Sequence, residues 1–412
     1  MKIEIINTGS ELLLGTTLNT HGAWMGTELM GLGLRVQRQT TVPDGDAIIA
    51  ALTEALERSD VVIVTGGIGP TSDDICREAA AAVLGVDLIY DEAALRSLEA
   101  FFASRGRPMA ESNRKQALNP VGADILPNPN GTAPGIYAPP RMSGDRLCAL
   151  FLLPGPPSEM KPMFREEVTP RLRSLAGVES DHTLQILRFT GIGESDFHEG
   201  LDVELSTIDD LEVGYCARPA EVDLRLIGNA ESVSKAAVMA QTAFAHQCFS
   251  TCDESLEQVV VRILTEQNKK LSLAESCTGG RIASRVTDVS GSSAVFTHGF
   301  VTYANEAKVE MIGVDADLID THGAVSEEVA LAMAEGALKK SGADISASVT
   351  GIAGPTGGTE DKPVGTVWIG IATPTKSYAI HRCHNRGREI FKQVVSQTAL
   401  DLIRKELLSD QT

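Results

Sequence analysis

The run VVIVTGG, residues 61 to 67, constrains the fold more than any other stretch. It sets four consecutive β-branched apolar residues and a threonine against two glycines. A strand that is apolar on both faces must be covered on both, which is the condition of a parallel sheet flanked by helices. The surrounding chain agrees. KIEIINTG predicts a strand, THGAWMGTELMGLGL a helix, and DDICREAAAAVLG a second helix. After the helical EAALRSLEAFFASRG, the Pro- and Gly-rich NPVGADILPNPNGTAPGIYAPPRMSGDR reads as loop. LCALFLLPGPPSEM then reads as strand, Pro-Gly turn and helix, closing an α/β domain near residue 172.

Residues 173–252 differ in pattern. They predict a strand (TLQILRFTGIG), a helix from ESDFHEGLDVEL, a hairpin in EVGYCARPAEVDLRLIG and a helix in ESVSKAAVMAQTAFAHQ, a small α+β unit. From residue 253 strand and helix alternate again through KKLSLAESCTGG, SSAVFTHGFVTYAN, ADISASVTGIAG and GTVWIGIATP, ending in an amphipathic helix from Arg388 to Leu408. The length of 412 residues suits two or three cores rather than one. TGGIGPT at 65–71 and TGIAGPT at 350–356 echo each other after apolar strands, which points to shared loop chemistry rather than duplication.

Bulk properties narrow the function classes. The formal charge of −19 repels phosphate backbones, and no basic stripe offsets it, so nucleic acid is not an expected partner. No apolar run reaches the length of a membrane span, and no membrane association is expected. The opening MKIEIINTG alternates toward a strand and has no signal-peptide core. Seven cysteines without framework spacing suit a reducing compartment, so a cytoplasmic location is expected. Cys248 with Cys252, and HRCH at 381–384, lack the spacing of a closed zinc site.

Two regions carry chemistry. In VTGGIGPTSDDICRE, Gly66, Gly67 and Gly69 let backbone amides approach an anion ahead of a helix start, with Thr71 beside them. A second reading stays open, in which Thr71 or Ser72 caps the helix and Asp73 and Asp74 complement its dipole. In LAESCTGG a strand delivers Ser276 to its end, and CTGG turns the chain into the helix RIASRVTDV. Such a hydroxyl can attack a carbonyl whose oxyanion nearby amides hold, here those of Thr278 and Gly279. It needs a base. FVTYANEAKVEMIGV offers Tyr303 at a strand end and Lys308 on a helix that Asn305 would cap, and a lysine deprotonated by desolvation can serve serine. Cys277 is expected to face inward as a packing residue, and Glu275 to orient a neighbour.

Residues 1–172, through GSELLLG, GGIGPTSDD, NPNGTAPG and LPGPPSEM, resemble the MoaB/MogA-like molybdopterin-binding domain that opens CinA-family proteins. AESCTGG, GFVTYANEAK, GAVSEEVA, TGIAGPTGG and KPVGTVWIG resemble the family's C-terminal nicotinamide-nucleotide amidohydrolase domain. The resemblance implies two α/β sheet domains, 1–172 and 253–412, joined by a KH-like α+β domain at 173–252. It implies Ser276 as nucleophile, Lys308 and Tyr303 as activating partners and Thr350 as a contributor, with substrate held near Thr278, Gly279, Gly280, Gly351 and Gly354. Where the family has G-D-R this chain has HNRGRE, so Arg388 is the expected phosphate ligand and Arg386 its alternative. The implied amidase substrate is nicotinamide mononucleotide, with no cofactor. For the first domain the resemblance implies ADP-ribose pyrophosphatase activity, with Mg²⁺ or a similar divalent ion on Glu11, Asp44, Asp73 and Asp74. A homodimer is expected. The alternative is a non-catalytic pterin- or nucleotide-binding regulatory protein.

Overall fold

The computed structural model describes residues 1–143, 145–177 and 182–409. The chain forms two compact units, Met1–His182 and Thr183–Thr412.

Among the described residues the first unit has eight strands: β1 (Ile3–Thr8), β2 (Val36–Val42), β3 (Val61–Thr65), β4 (Leu88–Tyr90), β5 (Leu118–Pro120), β6 (Asp124–Leu126), β7 (Gly135–Ser143) and β8 (Arg146–Leu153). Six make one sheet in the order β2-β1-β3-β8-β7-β6, and β4 pairs with β5. The first four strands of that order run parallel. β3 shows why its sequence had no alternation. Val62 and Val64 pack on one face against Ile48, Leu52 and Ala79, while Val61 and Ile63 pack on the other against Met25, Leu29 and Phe164. Helices Ala47–Arg58 and Cys76–Leu84 thus cover one face, and His21–Met30 with Pro157–Met163 the other.

The stretch expected to be loop is largely strand. β7 pairs antiparallel with β8, and its register shifts between Ala138 and Arg141. Pro139 and Pro140 sit in that irregularity, where a missing N–H breaks no ladder bond. β2 also lacked a sequence signal, because VQRQTTV lies at a sheet edge and is mostly polar.

The second unit begins with β9 (His182–Thr190), β10 (Leu211–Arg218), β11 (Glu221–Asn229) and β12 (Cys248–Ser250), ordered β10-β11-β9-β12. Helices Glu194–Leu205 and Ala230–Ala243 pack on this sheet through Phe197, Leu201, Val233 and Ala237 against Phe189, Leu224 and Leu226. A five-stranded sheet follows, from β13 (Leu271–Glu275), β14 (Phe296–Val301), β15 (Ile345–Gly351), β16 (Thr366–Ala372) and β17 (Ser377–Cys383), ordered β14-β13-β15-β16-β17. β13 runs parallel to both neighbours, whereas β15, β16 and β17 pair antiparallel, so the sheet is mixed. β13 is an interior strand, second from the β14 edge. Helices Leu256–Glu266 and Arg388–Ser409 cover one face of it, and Glu327–Ser341 the other.

Candidate active site

β13 is buried along its whole length, and burial continues through Ser276, Cys277 and Thr278 to the exposed Gly279. The Ser276 N–H donates to Val349 O (3.0 Å) and the Gly279 N–H to Ser276 O (3.0 Å), closing a tight turn. Gly279 and Gly280 have φ of 61° and 89°, a region that favours glycine, and helix Arg281–Thr287 starts at once. One of the two amides expected to receive an oxyanion is therefore engaged within the turn. Glu275 is buried, and its carboxylate accepts from Ile282 N (3.1 Å) and Ala283 N (2.8 Å). It caps the helix that follows the nucleophile, satisfying donors that the first turn leaves unpaired.

Lys308 lies beneath this turn. It is 1% exposed, and its Nζ stands 3.4 Å from Ser276 Oγ. The same nitrogen donates to Thr302 O at 3.0 Å and lies 3.5 Å from the carbonyl oxygens of Tyr303 and Ala304. No carboxylate pairs with it among the described residues, and burial holds its pKa below the ordinary lysine value. Asn305 does not cap the lysine's helix. The N-cap is Ala304, with no side-chain cap bond. Cys277 faces the core, 5% exposed, and burial pushes its thiol up to about 12.

The other expected residues divide. Tyr303 offers Lys308 its carbonyl, while its ring is 59% exposed and its hydroxyl accepts from Arg388 Nη2 (2.9 Å). Arg388 Nη1 donates to Gly354 O (2.8 Å), so Arg388 joins two loops of the site. Arg386 is exposed, and its backbone N–H donates to His384 O. Thr350 is buried at the end of β15, with its hydroxyl donating to Ala324 O (2.6 Å), and Gly351 ends the same strand. The structure thus brings Ser276, Lys308 and the Thr278–Gly280 turn together, and links Tyr303, Arg388 and Gly354 beside them. Thr350 braces the scaffold.

The first unit holds a cavity of about 390 Å³ lined by Gly66, Gly67, Gly69, Thr71, Glu11, Asp44, Asp73 and Asp74. Gly66 has φ 92°, and a Cβ there would stand 2.8 Å from Thr8 O, so only glycine lets the loop cross the end of β1. Neither Thr71 nor Ser72 caps the next helix, whose N-cap is Ile75. Instead Asp74 accepts from the Thr71 N–H (2.9 Å) and hydroxyl, and Lys115 Nζ donates to Thr71 O (2.5 Å) and Asp74 O (2.9 Å). Asp44 accepts from Ser10 N (3.0 Å) and Oγ (3.2 Å). No group of three or more His, Cys, Asp or Glu side chains able to hold an ion occurs among the described residues. The four carboxylates line one cavity without converging into a cage. A Mg²⁺ ion typically takes one or two carboxylates plus substrate phosphates, and Asp73 beside the glycine loop fits that lesser role.

Comparison with known proteins places these features. Family models match three successive segments: a probable molybdopterin binding domain at residues 4–174, a damage-inducible protein CinA KH domain at 185–245, and a CinA C-terminal domain at 253–407. A CinA-like protein of Akkermansia muciniphila is 48% identical over 100% of this chain and 99% of its own. The chain belongs to the CinA family. A solved competence/damage inducible protein CihA from Agrobacterium tumefaciens is 42% identical over 37% of this CinA-family chain and 93% of its own, with a TM-score of 0.36. The multidomain α/β architecture is that of the family, and no helix among the described residues is long and apolar enough to cross a membrane. Sequence reasoning left Glu275 as an unspecified orienting group and passed over Lys115. Both act across the fold, Glu275 on a helix seven residues away and Lys115 on a loop 41 to 44 residues away, so local pattern carried no sign of either.

Proposed function

We propose that the C-terminal part of this CinA-family chain hydrolyses the carboxamide of nicotinamide mononucleotide, giving nicotinic acid mononucleotide and ammonia. The observation that carries the reading is a buried Lys308 within reach of Ser276 Oγ, with no carboxylate paired to it among the described residues and with burial outweighing the charge of Glu306 to hold its pKa below the ordinary lysine value. A neutral amine has two N–H bonds for the surrounding carbonyls and one lone pair for the serine proton. Lys308 then takes the Ser276 proton as Oγ attacks the carboxamide carbon, and returns it to the departing nitrogen, so that ammonia leaves neutral. Water attacks the resulting ester, its proton again passing through Lys308, and the acid is released. The separation in the free protein is long for a direct transfer and is expected to tighten when substrate fills the site.

The deciding experiment is ammonia release from nicotinamide mononucleotide by the purified chain and by Ser276→Ala. Release by the wild type and loss in the variant are expected. Undiminished release by Ser276→Ala would remove the mechanism, and no release by the wild type would favour a binding or regulatory role.

A second reading concerns the first unit, where the glycine loop and carboxylate-lined cavity suit a pyrophosphate-bearing nucleotide such as ADP-ribose. A divalent cation bound there would neutralise pyrophosphate charge, and Asp73 would help hold it while the Gly66–Gly69 loop positions the phosphates. Metal-dependent AMP release that is lost in Asp73→Ala and kept in Ser276→Ala is the expected pattern.

A further inference from the structure

A phosphate-bearing substrate needs cations beside Ser276, and the obvious donors there are engaged. The helix start after the turn is filled by the chain's own Glu275 carboxylate. The Gly279 N–H closes onto Ser276 O. Lys308 must be neutral to serve as the base, so it is not a phosphate ligand. Arg388 keeps its charge, since both acceptors it meets, Gly354 O and the Tyr303 hydroxyl, are neutral.

Lys392 is the next cation. It lies one helical turn beyond Arg388 on helix Arg388–Ser409, a spacing that puts both side chains on one face. Its ammonium stands 3.6 Å from where a Cβ on Gly279 would be, directly against the nucleophile turn. Lys392 is half-buried and has no hydrogen-bond or ion-pair partner among the described residues. Its field, like that of Lys308, reaches the Cys277 thiol inside the same turn. Gly279 has no side chain to screen the ammonium from a ligand. Arg386, exposed and joined through its backbone to His384, has no such placement.

We propose that Lys392, paired with Arg388 across the Gly279 turn, holds the substrate phosphate and selects phosphorylated nucleotides over their nucleosides. The substrate's identity rests on the amidase reading, whereas the anion site does not. A compact ammonium beside a planar guanidinium gives one point charge and one fork, which together suit a phosphomonoester.

The test uses the full chain with Lys392→Ala, Lys392→Arg and Lys392→Glu. Ammonia release is measured from nicotinamide mononucleotide and from nicotinamide riboside, and binding of nicotinamide mononucleotide and of inorganic phosphate by calorimetry. In Lys392→Ala the KM for the mononucleotide is expected to rise about ten- to a hundred-fold, the size of one lost hydrogen bond to a charged group. The effect on kcat is much smaller, as for binding shared by ground and transition states. Preference over the riboside shrinks with it, Lys392→Arg restores most of the loss, and Lys392→Glu deepens it. An unaltered KM for the mononucleotide, or an equal loss on both substrates, overturns the proposal. Should the wild type release no ammonia from either compound, the amidase reading fails and calorimetry alone decides Lys392. Mononucleotide binding lost in Lys392→Ala, with a native melting curve, then supports the anion site. Equal binding by both proteins, or none by the wild type, overturns it.

Discussion

Ser276 and Cys277 are neighbours in sequence and opposites in environment. Ser276 is 9% exposed and faces Lys308, while the Cys277 thiol sits in the core with a pKa near 12. At neutral pH that thiol is protonated and a poor nucleophile. Cys277→Ala is therefore expected to keep amidase activity, and iodoacetamide to leave it intact, as a timed alkylation followed by ammonia assay would check. Lys308 makes a sharper prediction. Lys308→Met should lower kcat by about 10²- to 10⁴-fold, the usual share of a general base. In the wild type, kcat/KM should rise with pH as Lys308 loses its proton, with its midpoint below the ordinary lysine range. The stability effect has the same sign. Between the depressed native pKa and the ordinary lysine value the unfolded chain binds more protons, so stability rises with pH across that window, and Lys308→Met should flatten the rise in urea melts. The residue pair was legible in the sequence, but the lysine's surroundings were not. Its three facing carbonyls come from the 302–304 turn, and only the fold brings that turn under Ser276.

At the scale of elements, the site depends on how one strand hands over to one helix. Glu275 ends β13 and caps helix Arg281–Thr287 with both carboxylate oxygens, so strand, turn and helix are held as one piece. Arg285 ties that helix to its neighbours through Glu257 (2.7 Å), Ser396 Oγ (2.9 Å) and Gln397 Oε1 (2.7 Å). Glu275→Ala is expected to cost about 1–2 kcal/mol by chemical denaturation, in the range of a lost N-cap, and to loosen the turn that presents Ser276. Glu275→Gln retains one amide oxygen as acceptor and should recover part of that loss. Equal stability of Glu275→Ala and wild type would mean that the cap holds nothing. Elements packed on both faces, such as β3 and β8, announced themselves through unbroken apolar runs. Those at sheet edges did not, because β2 and β17 are largely polar and only partly buried, with Val36 and Val42 of β2 and Tyr378 and Ile380 of β17 as their apolar contacts to the core. β7 was hidden by its prolines, which the sheet tolerates only where its register shifts.

At the scale of the whole molecule, each apolar cluster falls inside one unit: those around Ile6 and Ile3 in Met1–His182, those around Leu271, Phe189 and Ala274 in Thr183–Thr412. Independent cores make independent unfolding the expectation, since cooperativity is a property of shared packing. The two proposed ligands fall on either side of that division, a pyrophosphate nucleotide at the Gly66–Gly69 loop and nicotinamide mononucleotide at Ser276. Anything that binds only the native form of one unit raises the stability of that unit, by about 2.7 kcal/mol at a hundred times its dissociation constant. Differential scanning calorimetry of the full chain should therefore show two transitions, with ADP-ribose raising one and nicotinamide mononucleotide the other. Lys392→Ala should weaken the second shift without touching the first. A single transition raised by either ligand would mean that the units unfold together, and that occupancy of one cavity stabilises the site in the other.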